Sequence, residues 1–374
     1  MCGLQAASLT IRVHLCRFVV RTTCGVPLFT RGIDTTPVEH FKSRSMKLAE
    51  IRYFSRALGI LICCCSTIAF GSTAPVVGPR AFWVELSPAT SPPARSYLAM
   101  TYDAVSRKVI VFGGYDGTTY LNDTWTFDGI SWTQVFVSPS PPVRANAQMA
   151  YDSVTHKVVL FAGYNGTNYL GDTWLWDGTT SRRTPVRTVH RPRAVTGPML
   201  FPDPSGRVDL FGGFDGRFYQ LTMWQWNGSD WIQLFPPMVP YARSSAAVAT
   251  NYFTHQVVLF GGLADVNPIN TWTYDGKTWT LQSAPTQPDW MYAGSAAFDP
   301  NLNAVVLFGG GSGGVDQNTT WEWPRFNWRQ LLTTQSPPPR EGAGIAYDAA
   351  LGHVIIFGGQ DSDAPLGDTW ELIP

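Results

Sequence analysis

The chain has 374 residues, with 27 basic and 27 acidic side chains, 35 glycines, 28 prolines and 15 tryptophans. The balance is uneven: residues 1–74 hold 9 basic and 3 acidic residues, and the remainder is net −6. A mildly acidic body argues against general nucleic-acid binding, which needs clustered Lys and Arg as counter-charges for phosphate. All six cysteines (Cys2, Cys16, Cys24, Cys63, Cys64 and Cys65) precede residue 66, so the body can hold neither a disulfide nor a thiolate metal site.

Residues 1–45 show no period and no run of turns, and read as an upstream extension or a disordered basic tail. From Met46 the order changes. Lys47, Arg52 and Arg56 form a basic start, Leu58 to Phe70 is an apolar run of 13 residues, and Gly71, Ser72, Thr73 and Ala74 follow. That is the pattern of a signal peptide over 46–74, with an apolar run too short for a membrane span of about 20 residues. The expectation is a secreted or periplasmic body, residues 75–374, with no stable membrane span once the signal is removed.

The body is built on one repeat. An apolar run ending in Phe-Gly-Gly or a close variant recurs with its phenylalanine at 112, 161, 211, 260, 308 and 357, at spacings of 49, 50, 49, 48 and 49 residues. Before it comes a Pro-rich entry, an Arg, a weakly alternating strand and a turn marked by Tyr-Asp or Phe-Asp. After it come a loop, a strand around Asp-Thr-Trp (Asp123 to Trp125, Asp172 to Trp174, Asp368 to Trp370), and a hairpin at Asp-Gly or Asn-Gly. Asn, Asp and Gly tolerate the positive φ of such hairpin turns. A last strand carries Trp132, Trp231, Trp279 or Trp328. Four short antiparallel strands in about 50 residues make one propeller blade.

The double glycine, the Trp about a dozen residues on and the second Trp beyond it resemble the kelch repeat, from about residue 82 to 374. The resemblance implies an all-β, six-bladed propeller of four-stranded antiparallel blades. Departures are local: Ala162 stands for a glycine, Ser181 takes the place counted for the last Trp of the second unit, and the third unit lacks the Asp before Trp224. The sixth unit stops after three strands, and Phe82 to Leu86 reads as an orphan fourth strand, so the N-terminal strand (82–86) is expected to complete the last blade and close the ring.

Two features rise above the scaffold. Arg95, Arg144, Arg243 and Arg340 share one register ahead of the first strand, with Arg193 displaced by one and Met291 in the slot of the fifth unit. Some kelch relatives hold acidic peptides with arginine here, which implies a broken ring of guanidinium groups at the channel mouth; the alternative is a role within the repeat. The loops after the double glycine bring Tyr115, Asp116, Tyr164, Asn165, Phe214 and Asp215 to the same face, followed by Tyr120, Tyr169 and Tyr219. An aromatic and polar patch beside a channel suits a peptide, protein or glycan.

Copper-radical chemistry, known among kelch relatives, needs a cysteine that the body lacks. His156, His255 and His353 recur one per unit on turns, and no cofactor or metal is expected. The leading expectation is a binding module. The alternative is a sugar-acting enzyme at the channel mouth, isomerase-, epimerase- or hydrolase-like, with Asp289 or Glu341 as acid or base. The basic run from Arg182 to Arg193 is expected on an outer strand and the link to the third unit, as a solvated loop or an anionic contact.

Overall fold

In a computed structural model, six sheets of four antiparallel strands follow one another along the chain, and the structure describes residues 80–374 apart from 267 and 363. The N-terminal extension and the signal peptide expected over 46–74 lie outside the described residues. Blade 1 consists of Ala99–Asp103, Lys108–Tyr115, Tyr120–Phe127 and Trp132–Val135. The next four blades repeat this order, and a two-stranded hairpin, Gly311–Ser312 with Val315–Asp316, is added in blade 5. Blade 6 takes Gly344–Asp348, His353–Phe357 and Thr369–Ile373, and its fourth strand is Phe82–Leu86, which pairs antiparallel with Thr369–Ile373.

The second strand of each blade is buried on both faces because a blade packs on either side of it. Val109, Ile110, Val111 and Phe112 are all at most 1% exposed, which is why these strands read as unbroken apolar runs. Six clusters fill the spaces between blades, such as Val111, Trp132, Ile355 and Phe357 between blades 1 and 6. Crowding favours glycine at these positions, although Ala162 fills the first one in blade 2 at φ 70. A Cβ on Gly358 would meet the Arg95 carbonyl oxygen at 2.5 Å, and Gly358 sits at φ 65. That conformation favours glycine, and no side chain fits beside that carbonyl.

Each fourth strand stitches its blade to the one before. The indole N–H donates to a third-strand Thr hydroxyl of the preceding blade: Trp83 to Thr320 at 2.9 Å, Trp132 to Thr369 at 3.0 Å, Trp231 to Thr173 at 2.9 Å and Trp328 to Thr271 at 2.8 Å. In blade 4, Trp279 meets the Met223 sulfur instead, at 3.4 Å. In blade 2 the slot holds Arg183, not Ser181. Arg183 pairs across from Trp176, donates Nε–H to Thr124 at 3.3 Å and is fully buried.

At the channel mouth nearest the starts of the first strands, six residues form a closed cycle of backbone hydrogen bonds. Asn146 donates to Tyr97, Gly197 to Asn146, Ser245 to Gly197, Ala293 to Ser245, Gly342 to Ala293 and Tyr97 to Gly342, at 2.7–2.9 Å. All six have positive φ, between 50 and 62. One residue of positive φ per blade thus ties the six sheets into one ring.

Candidate functional site

The loops around this mouth carry the arginines of the first-strand entries and the aromatic and polar residues that follow the double glycines. The channel behind it encloses about 420 Å3, and no charged side chain lines it; Met100, Gln148, Leu200, Thr250, Ser295 and Ala346 are among its walls. Its chemistry is that of strand edges and small side chains. The charged and aromatic groups lie on the rim.

The arginines do not form a guanidinium ring open to the channel. Arg95, Arg144 and Arg243 are 0% exposed and Arg340 is 1% exposed. Each makes the same local contacts. Arg95 donates from Nε to the Pro93 carbonyl at 2.9 Å, from Nη1 to the Gly113 carbonyl at 3.1 Å, and through both Nη atoms to Asp123 at 2.6 and 2.9 Å. Arg144 holds Asp172 at 2.8 and 2.8 Å, and Arg340 holds Asp368 at 2.7 and 2.6 Å. The carboxylate also accepts the indole N–H of Trp125, Trp174 or Trp370. Burial pushes these carboxyls up, but the guanidinium beside each and the indole N–H outweigh it and leave all three below the ordinary range. These arginines clamp the first-strand entry to the third strand of their own blade, with every donor turned inward.

Blade 4 has an incomplete clamp. Asn270 stands where the others have Asp, Arg243 reaches it at 3.2 Å, and Arg243 Nη2 is buried without a partner. Burial pulls the Arg243 pKa down to about 10. In blade 3 the backbone position of the clamp is held by Val195, whose N–H donates to the Leu170 carbonyl. Arg193 is exposed instead and pairs with Asp215 at 2.8 Å.

The aromatic loops do come together. Ring centroids run from Tyr115 to Tyr120 at 5.1 Å, on to Tyr164 at 5.8 Å, Tyr169 at 5.0 Å, Phe214 at 6.2 Å and Tyr219 at 5.0 Å. Six half-buried rings form one arc over blades 1 to 3. The glycine of each following turn makes the fit: a Cβ on Gly166 would strike the Tyr120 ring at 2.8 Å, and one on Gly216 the Tyr169 ring at 2.4 Å. Asp116 and Asn165 are turn residues here. Asp116 accepts the N–H of Thr118 and Thr119 at 2.8 and 2.6 Å, Asn165 those of Thr167 and Asn168 at 3.0 and 2.7 Å. The Thr119 and Thr118 amides draw the Asp116 carboxyl below its usual range. Asp215 caps its turn the same way and adds Arg193 and Gln220.

Across the mouth lies a group that the repeat pattern does not contain. Glu341, 8% exposed, accepts the Tyr97 hydroxyl and the Gln360 amide, and its Oε2 has no hydrogen-bond partner. Ser96 donates to Gln360 Oε1 at 2.9 Å. Burial, then Glu341, raises the Tyr97 hydroxyl pKa. Burial, then Glu341 and Asp361, also raises that of the Asp316 carboxyl. The signal in the sequence was departure: Tyr97 and Glu341 have no counterpart at equivalent positions of the other blades. Asp289 is exposed in the link before blade 5.

The histidines stay apart. His156 contacts Tyr151, His190 Asp230 and His353 Glu371, and among the described residues no three His, Cys, Asp or Glu side chains converge as a metal site. No helix of the described residues is long and apolar enough to cross a membrane.

The family model of the KLHDC2/KLHL20/DRC7 Kelch-repeats domain matches residues 81–234, which span the N-terminal strand and the first three blades. Over that stretch the chain is built of kelch repeats. The remaining three blades of this kelch propeller repeat the same strand order and the same Phe-Gly-Gly geometry. No curated protein matches the chain. Kelch propellers generally serve as protein-interaction modules, and the face just described is where this one places its unpaired aromatic surface.

Proposed function

We propose that this kelch propeller is a non-catalytic binding module, and that the rim of aromatic loops over blades 1 to 3 is its docking surface for a partner protein or peptide segment. The continuous arc from Tyr115 to Tyr219 carries the reading. Rigid rings supply contact area at low entropy cost, and their hydroxyls leave the arc amphipathic. Tyr115 and Tyr164 are locked by hydrogen bonds from their hydroxyls to the Gly117 and Gly166 carbonyls, so the surface is largely organised before a partner arrives. The same stacking faces suit a glycan, which is the second ligand class to test. The signal-peptide pattern from Met46 supports a partner met outside the cytoplasm.

The test is an array of peptides and glycans read with the wild type and with Tyr120→Ala/Tyr169→Ala. Ligands that bind the wild type should lose roughly tenfold or more in the variant, the effect of about 1.4 kcal/mol. Binding that is unchanged in the variant would remove the arc from the function. Turnover of an array glycan, abolished by Glu341→Gln and unaffected by the tyrosine variant, would replace the binding reading by the enzymatic one.

A further inference from the structure

The channel opens away from the aromatic arc. Its walls run from Leu98, Gly294 and Ala343, beside the ring of backbone hydrogen bonds, to Ala104 and Ala349, exposed residues of the turns that follow the first strands. At the ring the space is about 50 Å3, with Tyr97, Asn146, Ser245, Ala293 and Gly342 among its walls. That volume admits a few waters and nothing larger. Beyond it the channel widens to about 420 Å3, within the range of small-molecule sites. It is therefore a pocket entered from the far face.

The first strands line this pocket unequally. Met100 of blade 1 and Ala296 of blade 5 hold equivalent positions, as do Leu98 and Gly294. The blade 1 pair is buried and the blade 5 pair half-buried, so the space is widest beside blade 5. Aromatic rings surround the entrance. Tyr102, Tyr151, Phe298 and Tyr347 occupy one position in blades 1, 2, 5 and 6, and all four line the channel. Tyr252 and Phe253 stand edge-on to Phe298, with centroids 6.1 and 5.4 Å away.

The chemistry of the wall selects the ligand. Among the described residues none of the lining side chains is charged, so an ion entering would lose hydration and meet no counter-charge. Each first strand is the inner edge of its sheet and turns unpaired backbone N–H and C=O groups to the channel. A wholly apolar ligand would strip water from these groups and replace none of its hydrogen bonds. Ser295 and Thr250 are already engaged, with the carbonyls of Ala343 and Pro202. Thr101 and Gln148 also line the channel, and neither side chain has a hydrogen-bond partner. Elsewhere the wall is aliphatic, as at Met100, Val248 and Ile345, and a ring hydroxylated all round would leave several groups unpaired there.

We propose that the channel is a second binding site, for a small uncharged aromatic compound that bears one or two hydroxyl or carbonyl groups. The ring passes the aromatic collar and lies against the small side chains of blade 5. Its polar group meets Thr101 or, at the inner end, Gln148, which lines both the channel and the constriction. The entrance and the aromatic arc are on opposite faces, so this ligand and a docked partner are held together. The inference goes beyond the docking role and does not depend on it.

The test is a calorimetric and fluorescence titration of the full chain with naphthol, with naphthalenesulfonate and glucose as comparison ligands. Naphthol should bind saturably, one per chain, with a Kd of about 1 mM or lower. The sulfonate and glucose should bind at least about tenfold more weakly. Ala296→Phe, with an unchanged circular dichroism spectrum, should weaken naphthol about tenfold or more by filling the space. Thr101→Val/Gln148→Leu keeps the size of both side chains and should weaken it roughly two- to tenfold, the loss of one hydrogen bond. Tyr120→Ala/Tyr169→Ala should leave it unchanged. Absence of saturable naphthol binding overturns the proposal, as does a sulfonate or glucose that binds equally well. Naphthol affinity unchanged in the Thr101/Gln148 variant, or in a folded Ala296→Phe, also overturns it. Loss in the tyrosine variant would place naphthol on the arc and overturn it too. None of these results bears on array ligands read through Tyr120 and Tyr169, so the docking role stands or falls separately.

Discussion

Replacing Asn270 by Asp should stabilise the propeller. In blades 1, 2 and 6 the clamp closes with two charge-assisted hydrogen bonds of 2.6–2.9 Å, and the carboxylate takes an indole N–H at 2.6–2.7 Å. In blade 4 the single Arg243 contact and the Trp272 contact to Asn270 are both 3.2 Å, and Arg243 Nη2 is left buried and unpaired. The substitution is isosteric, turns a guanidinium bond to a neutral amide into a charged pair and gives the orphan donor an acceptor. A hydrogen bond to a charged group contributes about 1.5–3 kcal/mol, and an unsatisfied buried donor costs about 1–3 kcal/mol. Desolvating the new carboxylate offsets part of this, though only part, since the Asp123, Asp172 and Asp368 side chains keep 21%, 37% and 19% exposure. The net gain should be about 1–2 kcal/mol, or roughly 2–4 °C in Tm for a domain of this size. The introduced carboxylate, like its three counterparts, should have a folded pKa below its unfolded value of about 3.9. Its contribution is therefore present above about pH 4 and is lost as the pH falls through the folded pKa. Calorimetry of both proteins at pH 7 and pH 3 reads both parts. An unchanged or lower Tm at pH 7, or a gain that persists undiminished at pH 3, would refute the clamp argument.

Arg183→Met should also stabilise. The guanidinium is fully buried, lies over Phe112 and Trp176 at 4.5 and 5.1 Å, and has no ion pair; a well-packed apolar replacement should be worth about 1–3 kcal/mol in urea unfolding. Burial pulls its pKa down to about 9. The folded state therefore bears the full cost of the charge below about pH 9, and the advantage of the variant should shrink as the pH rises beyond that. Asp172→Asn should cost about 1–3 kcal/mol by breaking a complete clamp, with a lowered urea midpoint at pH 7. Gly358→Ala should be severe, since the new methyl group would meet the Arg95 carbonyl; loss of soluble expression or a Tm drop of several degrees is expected. Deleting residues through Trp83 should unfold or aggregate the protein by removing the fourth strand of blade 6, which light scattering and calorimetry would show.

The propeller was legible because one signal recurs six times, and chance variation at a single turn cannot hide a period of about 49 residues. The clamp was legible too, but only if two distant columns of the repeat are read together. Arg95 and Asp123, Arg144 and Asp172, and Arg340 and Asp368 each stand 28 residues apart, and the units without the Arg have Thr222 or Thr319 where the Asp should be. The arginine is kept where the other column holds Asp, or Asn270 in blade 4, and is lost where that column holds Thr, so it is paired with that side chain and not waiting for a ligand. The last Trp of blade 2 was misplaced for a different reason. Trp226 and Trp231 stand five residues apart, and counting five from Trp176 lands on Ser181. The hairpin in blade 2 adds the pair Asp177 and Arg182, so the slot moves out to Arg183. No count along the chain reveals an added pair of ladder residues, because strand length is decided by pairing. The acid group around Glu341 was hidden in a third way, since its members Tyr97, Glu341 and Gln360 are brought together only where the last blade meets the first. A repeat therefore discloses its scaffold through what recurs, whereas the surface proposed for docking lies where recurrence fails. In this chain that means the aromatic arc confined to blades 1 to 3.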